Sequence, residues 1–254
     1  MNDRFSQYST GTPTAPTGRS RRRDPRKLIA IAAAARAVMT ARGIRLTQVS
    51  DVARAAGVGA GTIYLYAADK EALVGLALRS AAEFPLREDT EVVGVDSAEL
   101  TRLVGEVVES CFVWPALRAA ATTEPTPATV AVVFAEAYDL VVAQRRLIAF
   151  LDRCSSEVPA FAEAWHERTR RVYFRELEVC LARHAAHGVI RNDVDFGVAS
   201  RALLEMIVWM AQRRVGDPVT PACGDDTARR TTLTLVMDAL RPRPSSAARD
   251  GART

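Results

Sequence analysis

The stretch TQVSDVARAAGVGAGTIYLYAADKEAL, residues 47–73, decides how the rest of the chain is interpreted. Thr47 is a good N-cap, so a first short helix is predicted to begin there and to end just before Gly57. Gly57 can adopt a positive φ and turn the chain. A second short helix is predicted over 59–66, and Asp69 caps the helix after it. Two short helices around a glycine turn predict a helix-turn-helix.

Such a motif has a use for the side chains crowded into this stretch. The second helix of the pair can enter the DNA major groove. Small residues let its backbone approach base edges, a threonine can reach a base, and tyrosines, a lysine and the start of the first helix can bind phosphates. The predicted DNA-binding residues are Thr47, Gln48, Gly59, Ala60, Gly61, Thr62, Tyr64, Tyr66 and Lys70.

Structural roles for the same residues stay open at this point. Tyr64 can pack between helices, Lys70 can be an ordinary solvated lysine, and Thr47 can serve only as a cap. The small residues of the second helix can serve only close packing. Each alternative predicts a different exposure of the side chain concerned.

The net charge of +4 conceals an asymmetry between the two ends of the chain. Residues 1–80 contain 13 Arg and Lys against 5 Asp and Glu, whereas the remainder contains 21 against 25. A basic end on a mildly acidic body indicates that only the N-terminal end meets a polyanion, with a solvated basic tail as the alternative. Residues 1–24 are predicted to be a disordered basic arm, in which Arg21, Arg22 and Arg23 enter a minor groove or attract phosphates nonspecifically.

The segment from about Leu28 to Leu73 resembles the signature of TetR-family transcriptional regulators. Gly43 is followed four residues later by Thr47, and DVARAAGV comes next. The Gly-Thr-x-Tyr step of 61–64, a second tyrosine and the DKEAL opening of the following helix complete the resemblance. Several spaced elements agree, so the resemblance is specific.

The resemblance implies an all-α homodimer. Its N-terminal helix-turn-helix DNA-binding domain would occupy 25–70, and a C-terminal helical ligand-sensing and dimerisation domain would occupy 71–240. The resemblance also implies that Tyr64 and Lys70 bind phosphates. It makes double-stranded operator DNA, a second copy of the chain and a small-molecule effector the expected partners.

Two positions depart from the family pattern. The serine that usually caps the recognition helix is Gly59 here, so the cap is weaker. The aromatic residue that usually follows Tyr66 is Ala67, which changes how that helix packs on the next one.

The remainder of the chain reads as helices, and no convincing strand pattern appears. The predicted helices lie near 97–121, 127–142, 144–156, 160–187, 194–214 and 225–240. The tail over 241–254 is predicted to be disordered. The fold class is therefore all-α.

The family resemblance implies an effector cavity among the middle helices. Aromatic and sulfur residues there suggest a mainly apolar ligand, with an arginine as a polar anchor. An ordinary hydrophobic core is the alternative for each of them. The candidate pocket residues are Cys111, Phe112, Trp114, Arg118, Phe134, Tyr138 and Phe150.

The last long helices resemble the segments that dimerise in this family. In the second of them one apolar stripe follows helical spacing and is either a dimer contact or buried within the monomer. Four helices around a two-fold axis would then form the interface. The stripe consists of Phe196, Ala199, Leu203, Met206, Ile207 and Met210.

Several other classes of protein are disfavoured. The four cysteines form no CxxC pair, and His184 and His187 have no ligand-type neighbour at metal spacing, so neither a metal nor a cofactor is expected. No nucleophile, P-loop or zinc-protease motif appears, so an enzyme is not expected. The apolar run over 28–35 resembles part of an export signal, but it is too short to span a bilayer. We therefore expect a cytoplasmic protein with no membrane partner.

These observations predict a ligand-responsive, DNA-binding transcriptional repressor that leaves its operator when an effector binds. A dimeric DNA-binding regulator with no effector is the alternative. A helical enzyme with an incidental basic end is a third, much weaker hypothesis.

Overall fold

The computed structural model describes residues 24–86, 96–220 and 223–243, and every regular element within those ranges is helical. The predicted all-α class, with an N-terminal helix-turn-helix and a helical C-terminal domain, is confirmed. The first helices are α1 Pro25–Arg42, α2 Val49–Ala56, α3 Ala60–Ile63 and α4 Lys70–Ala81. The others are α5 Ser97–Cys111, α6 Pro115–Ala120, α7 Pro127–Ala143, α8 Arg145–Cys154, α9 Pro159–Ala162, α10 Arg171–Ala186, α11 Phe196–Val208 and α12 Asp225–Leu240.

The start of α2 differs from the prediction by one residue. Thr47 is not its cap, because the threonine hydroxyl donates to the carbonyl of Gly43 at 2.6 Å and only 3% of the residue is exposed. Gln48 is the N-cap instead, and its N–H donates to the Asp51 carboxylate at 3.3 Å. Asp51 thereby satisfies a backbone donor that the helix itself leaves unpaired.

The second helix of the motif is shorter than predicted. It ends at Ile63, and the turn after it is closed by the N–H groups of Tyr66 and Ala67, which both donate to the Ile63 carbonyl. Asp69 then caps α4 as predicted, accepting the Ala72 N–H at 2.7 Å.

The helix predicted over 97–121 is two helices with a bend between them. Pro115 has no N–H to donate and clashes with a preceding helical residue, so it occupies the first turn of α6. Trp114 before it is accordingly non-helical, with φ −124° and ψ 76°. The bend turns Phe112 and Trp114 inward, where they are 6% and 2% exposed.

Two π-helical segments interrupt the helices predicted over 160–187 and 194–214. Glu163–Arg170 lies between α9 and α10, and Trp209–Arg213 follows α11. π-Helical turns are rare and are found frequently at functional sites.

Two hydrophobic clusters form the core. The first joins α1 and α4 of the N-terminal domain to α5, α8 and the first π segment, so buried packing is continuous across the predicted boundary after residue 70. The second joins α6, α7, α10, α11 and α12. The N-terminal helices are thus packed directly on part of the body.

The described ranges also bear on cysteine chemistry and on membranes. All four cysteines are free, and burial raises the pKa of Cys154 to about 12 and that of Cys180 to about 11, so both remain thiols. No group of three or more His, Cys, Asp or Glu residues in those ranges is arranged to hold a metal. None of their helices is alone long and apolar enough to cross a membrane, although α7 and α8 together would be, across a 74° bend.

Candidate nucleic-acid interface

The turn between α2 and α3 has the geometry that the sequence predicts. Gly57 lies in the left-handed region with φ 67°, and the following N–H, that of Val58, donates to the Ala53 carbonyl at 3.0 Å. Ile63 on the inner side of α3 is 1% exposed. One side of α3 is therefore fixed to the core and the other faces outward.

The outward side of α3 carries almost no side-chain atoms. Gly59, Ala60 and Gly61 are exposed. A Cβ added at Gly61 would meet no atom of the described residues within 4 Å, and one at Gly59 would approach only Thr62 Oγ1, at 3.9 Å. Close packing among the described residues therefore does not require these glycines, and an outside surface can approach α3 closely here.

The two tyrosines at the end of α3 have different environments. Tyr64 is 55% exposed, so it does not pack between helices. Tyr66 is only 6% exposed, and its hydroxyl accepts the N–H of Asp24 at 2.9 Å. This contact disagrees with the predicted phosphate role of Tyr66, because its hydroxyl joins the end of α3 to the start of α1.

The remaining predicted contacts surround the loop between α1 and α2. Gln48 is exposed, whereas Thr47 is buried and already bonded to Gly43. Lys70, in the first turn of α4, donates from Nζ to the carbonyl of Arg45 at 3.3 Å and remains partly exposed. The lysine charge therefore stands next to this loop rather than free in solvent.

Three arginines near the motif were not predicted as contacts. Arg42, Arg45 and Arg54 are exposed, and Arg42 and Arg54 lie 3.6 and 3.4 Å from the carboxylate of Asp51. For Arg45, the sequence signal was its position in the turn GIRLT, residues 43–47, just before the first helix of the motif. The predicted arm residues Arg21, Arg22 and Arg23 lie outside the described residues.

The body contains a separate cavity of about 90 Å³. Of the predicted pocket residues only Phe112 and Trp114 line it. Phe150 belongs to the first core cluster instead, and Phe134 and Tyr138 belong to the second. Two further predicted residues, Cys111 and Arg118, are also absent from the lining. Five of the seven predicted pocket residues therefore lie outside the lining of this cavity.

The prediction missed most of the lining. Both π segments contribute to it, through Trp165, Thr169 and Arg170 on one side and Arg213 on the other. Aromatic rings pair across the space: Phe112 and Trp165 have centroids 4.8 Å apart, and Trp114 and Tyr173 have centroids 5.5 Å apart. No single helix carries a pattern that would have revealed this grouping.

The cavity also contains a chain of charges. Arg170 lies 3.7 Å from the Asp152 carboxylate and 3.0 Å from that of Glu205. Its guanidinium lies 5.8 Å from the Trp165 ring centroid, and Trp165 donates from Nε1 to Asp152 at 2.8 Å. The lining is therefore mainly apolar and aromatic, and the Arg170 ion pairs are its charged part.

Residues 31–77 match the family model described as bacterial regulatory proteins, tetR family. This segment of the chain therefore matches the DNA-binding domain of that family. Two solved structures share the fold of the chain. One is the ketosteroid transcriptional regulator KstR2 of Mycobacterium tuberculosis, with TM-score 0.54 and 19% identity over 87% of this chain and 96% of that one. The other is AibR in complex with isovaleryl coenzyme A and operator DNA, with TM-score 0.51 and 15% identity over 83% and 98%.

At these identities the two solved structures show only that this chain has the same fold. None of the curated proteins compared with it matches its sequence significantly. The comparisons therefore identify neither the operator nor an effector of this chain.

Proposed function

We propose that this regulator is a homodimeric repressor that binds operator DNA through α3 and releases it when a small effector occupies the cavity. The observation that carries the DNA-binding part is the bare outward side of α3, flanked by the exposed Tyr64 and by Lys70. A helix without bulky side chains can approach base edges closely, and the flanking groups can bind phosphates on either side.

The low side-chain content of α3 bears on how sequence would be read. Thr62 is the one hydrogen-bonding side chain among the residues Ala60–Ile63. Direct base contacts are therefore few, so we infer that DNA shape and the basic N-terminal residues supply part of the specificity.

The dimer is supported by apolar side chains left exposed on α10, at the start of α11 and just after its end. Val179 is 61% exposed and Val198 is 69% exposed, while Trp209, in the π segment after α11, is 41% exposed. Part of the predicted apolar stripe faces the monomer core instead, because Leu203 and Ile207 are buried there. We infer that the interface uses the opposite side of α11, paired with α10 around a two-fold axis.

The cavity supports an effector with an aromatic or branched apolar body and a charged or polar group able to join the Arg170 ion pairs. Its volume, about 90 Å³, is below the roughly 300 Å³ of pockets for drug-sized ligands. A larger ligand must therefore displace lining side chains, and such a ligand would favour a rearranged state over the one described. AibR, which was solved in complex with isovaleryl coenzyme A and operator DNA, shows that a protein of this fold can bind a small molecule as well as DNA.

We expect Tyr64→Phe and Lys70→Ala each to weaken DNA binding about tenfold at fixed salt, since each removes a hydrogen bond to a charged phosphate. The loss should be similar for all DNA sequences, because phosphates carry no sequence information. The measurement is fluorescence anisotropy with genomic fragments that the purified protein retains.

Arg230→Ala is the matched control for that experiment. Arg230 lies exposed on α12, far along the chain from the motif, and its loss removes the same unit of charge. Equal affinities for Lys70→Ala, Arg230→Ala and the unchanged protein would contradict the phosphate role of Lys70.

The cavity gives a direct optical test of the effector proposal. Trp114 and Trp165 line it, whereas Trp209, the third tryptophan, does not. We expect any compound that releases the DNA to change the tryptophan fluorescence, and Trp165→Phe to remove a large part of that change. A compound that releases DNA without changing the tryptophan fluorescence would contradict binding at this cavity. If no compound releases the DNA, the alternative of a dimeric regulator without an effector stands.

A further inference from the structure

A carboxylate of the body holds the loop that precedes the helix-turn-helix. Glu157, in the turn after α8, has a side chain only 7% exposed. Its Oε2 accepts the backbone N–H of Arg45 at 2.7 Å, and its Oε1 accepts from Arg153 Nη1 at 2.9 Å. The Arg45 N–H and, to a smaller extent, the Arg153 charge hold the pKa of Glu157 below its ordinary range. The carboxylate is therefore charged and doubly bonded at neutral pH.

Arg153 extends the same contact to the end of α1. Its Nη2 donates to the carbonyl of Arg42, and the Cys154 thiol beside it lies 4.0 Å from the Met39 carbonyl. α1 ends at Arg42, and Gly43 caps it. Gly43 lies so close to Arg153 that a Cβ added to the glycine would be within 3 Å of the Arg153 guanidinium. The Arg153–Glu157 pair thus contacts the α1–α2 loop, residues 43–48, along its first three residues.

The α1–α2 loop is also bonded to a proposed DNA contact. Lys70 donates to the Arg45 carbonyl, while the buried Thr47 donates to the Gly43 carbonyl within the loop. The single residue Arg45 is therefore held through its N–H by the body and through its carbonyl by the lysine assigned to a phosphate. A shift of Glu157 would move both at once.

A different side of α8 lies at the cavity. Ile148 and Asp152 are among the lining residues, and Asp152 bonds to both Trp165 and Arg170. Asp152 and Arg153 are adjacent residues of one short helix, so a shift of the helix that moves Asp152 also moves the backbone that carries Arg153. One rigid element therefore touches the cavity and the α1–α2 loop.

We propose that Glu157, supported by Arg153, is a positioning residue that sets the α1–α2 loop for DNA, and that α8 transmits changes in the cavity to this loop. The inference rests on the proposed DNA-binding function. It deepens that function by naming the contact through which the body would control the DNA-binding domain.

The first test measures amide hydrogen exchange of residues 43–48 in the DNA-free protein. Glu157→Ala removes the acceptor of the Arg45 N–H, so exchange there should be about tenfold faster, as for one lost hydrogen bond. Glu157→Gln keeps a carbonyl acceptor and loses only the ion pair, so its effect should be smaller. Glu124→Ala, at an exposed glutamate before α7, is the matched control and should change nothing.

The second test measures DNA affinity of the same variants over a range of salt concentrations. We expect Glu157→Ala to bind about tenfold more weakly, with a slope of log affinity against log salt shallower by about one phosphate contact. A variant that merely unfolds more readily loses active protein but keeps the slope. An unchanged slope and affinity for Glu157→Ala would overturn the positioning role.

The link to the cavity is tested by Asp152→Asn, with Leu204→Ala as the control because it alters the lining from α11 instead of α8. Asp152→Asn should speed exchange in the α1–α2 loop at least threefold, whereas Leu204→Ala should leave it unchanged. Equal rates of amide exchange in the α1–α2 loop of both variants would overturn transmission through α8. Should the unchanged protein retain no DNA at all, the proposed function fails, while the exchange results still decide the contact.

Discussion

Gly43→Ala is expected to cost about 3 kcal/mol of unfolding free energy. Gly43 has φ +88° and ψ 164°, a region occupied almost only by glycine, which costs an alanine roughly 1–3 kcal/mol. Its new Cβ would also push the Glu157 carboxylate and the Arg153 guanidinium from their places. Both are ends of flexible side chains that can swing away, so the extra cost is that of their lost hydrogen bonds, about 1–2 kcal/mol.

Two comparisons separate these terms in urea unfolding. Gly188 also has a positive φ, +70°, but a Cβ there meets no atom of the described residues within 4 Å, so Gly188→Ala should show the backbone cost alone. In a Glu157→Ala background, Gly43→Ala should cost less than in the unchanged protein, because only the backbone term and the contact with Arg153 remain. If Gly43→Ala costs the same in both backgrounds, the contact between residue 43 and Glu157 contributes nothing.

Local signals explain why the helix-turn-helix was predictable. Gly57 and the Asp69 cap act on residues within a few positions of themselves, so their effect can be read from a short stretch. The misassigned cap has a local cause as well. Thr47 looks like an N-cap, but its hydroxyl is used four residues back by the Gly43 carbonyl, and this choice depends on the loop that Glu157 holds.

Long-range contacts explain what the sequence could not show. Tyr66 was expected at a phosphate, yet the partner of its hydroxyl is Asp24, which is 42 residues away. The cavity is assembled from the turn between α5 and α6, from α7, α8, α10 and α11, and from both π segments, and a π turn has no periodic pattern of its own. The ionic group of Asp152, Arg170 and Glu205 therefore appears only when the helices are packed.

Phe150→Ala is expected to be among the most destabilising single substitutions, with a loss of about 3–5 kcal/mol of unfolding free energy. The ring is fully buried, and its centroid lies 5.7 Å from that of Phe161 in an edge-to-face arrangement. It belongs to the cluster that joins α1 and α4 to the body. Removing it leaves a void at the contact between the DNA-binding domain and the body, so both should unfold at a lower urea concentration.

Phe174→Ala is the matched comparison, because Phe174 is only half-buried and lines the cavity. That substitution should cost about 1 kcal/mol, since much of its ring surface is already outside the close-packed core. It should instead alter the response to any compound that releases DNA, since the lining changes shape there. Phe150→Ala, which does not touch the cavity, should leave that response intact in whatever fraction of the protein remains folded. The reverse pattern, with Phe174→Ala more destabilising and Phe150→Ala changing the response, would return Phe150 to the pocket where sequence alone had placed it.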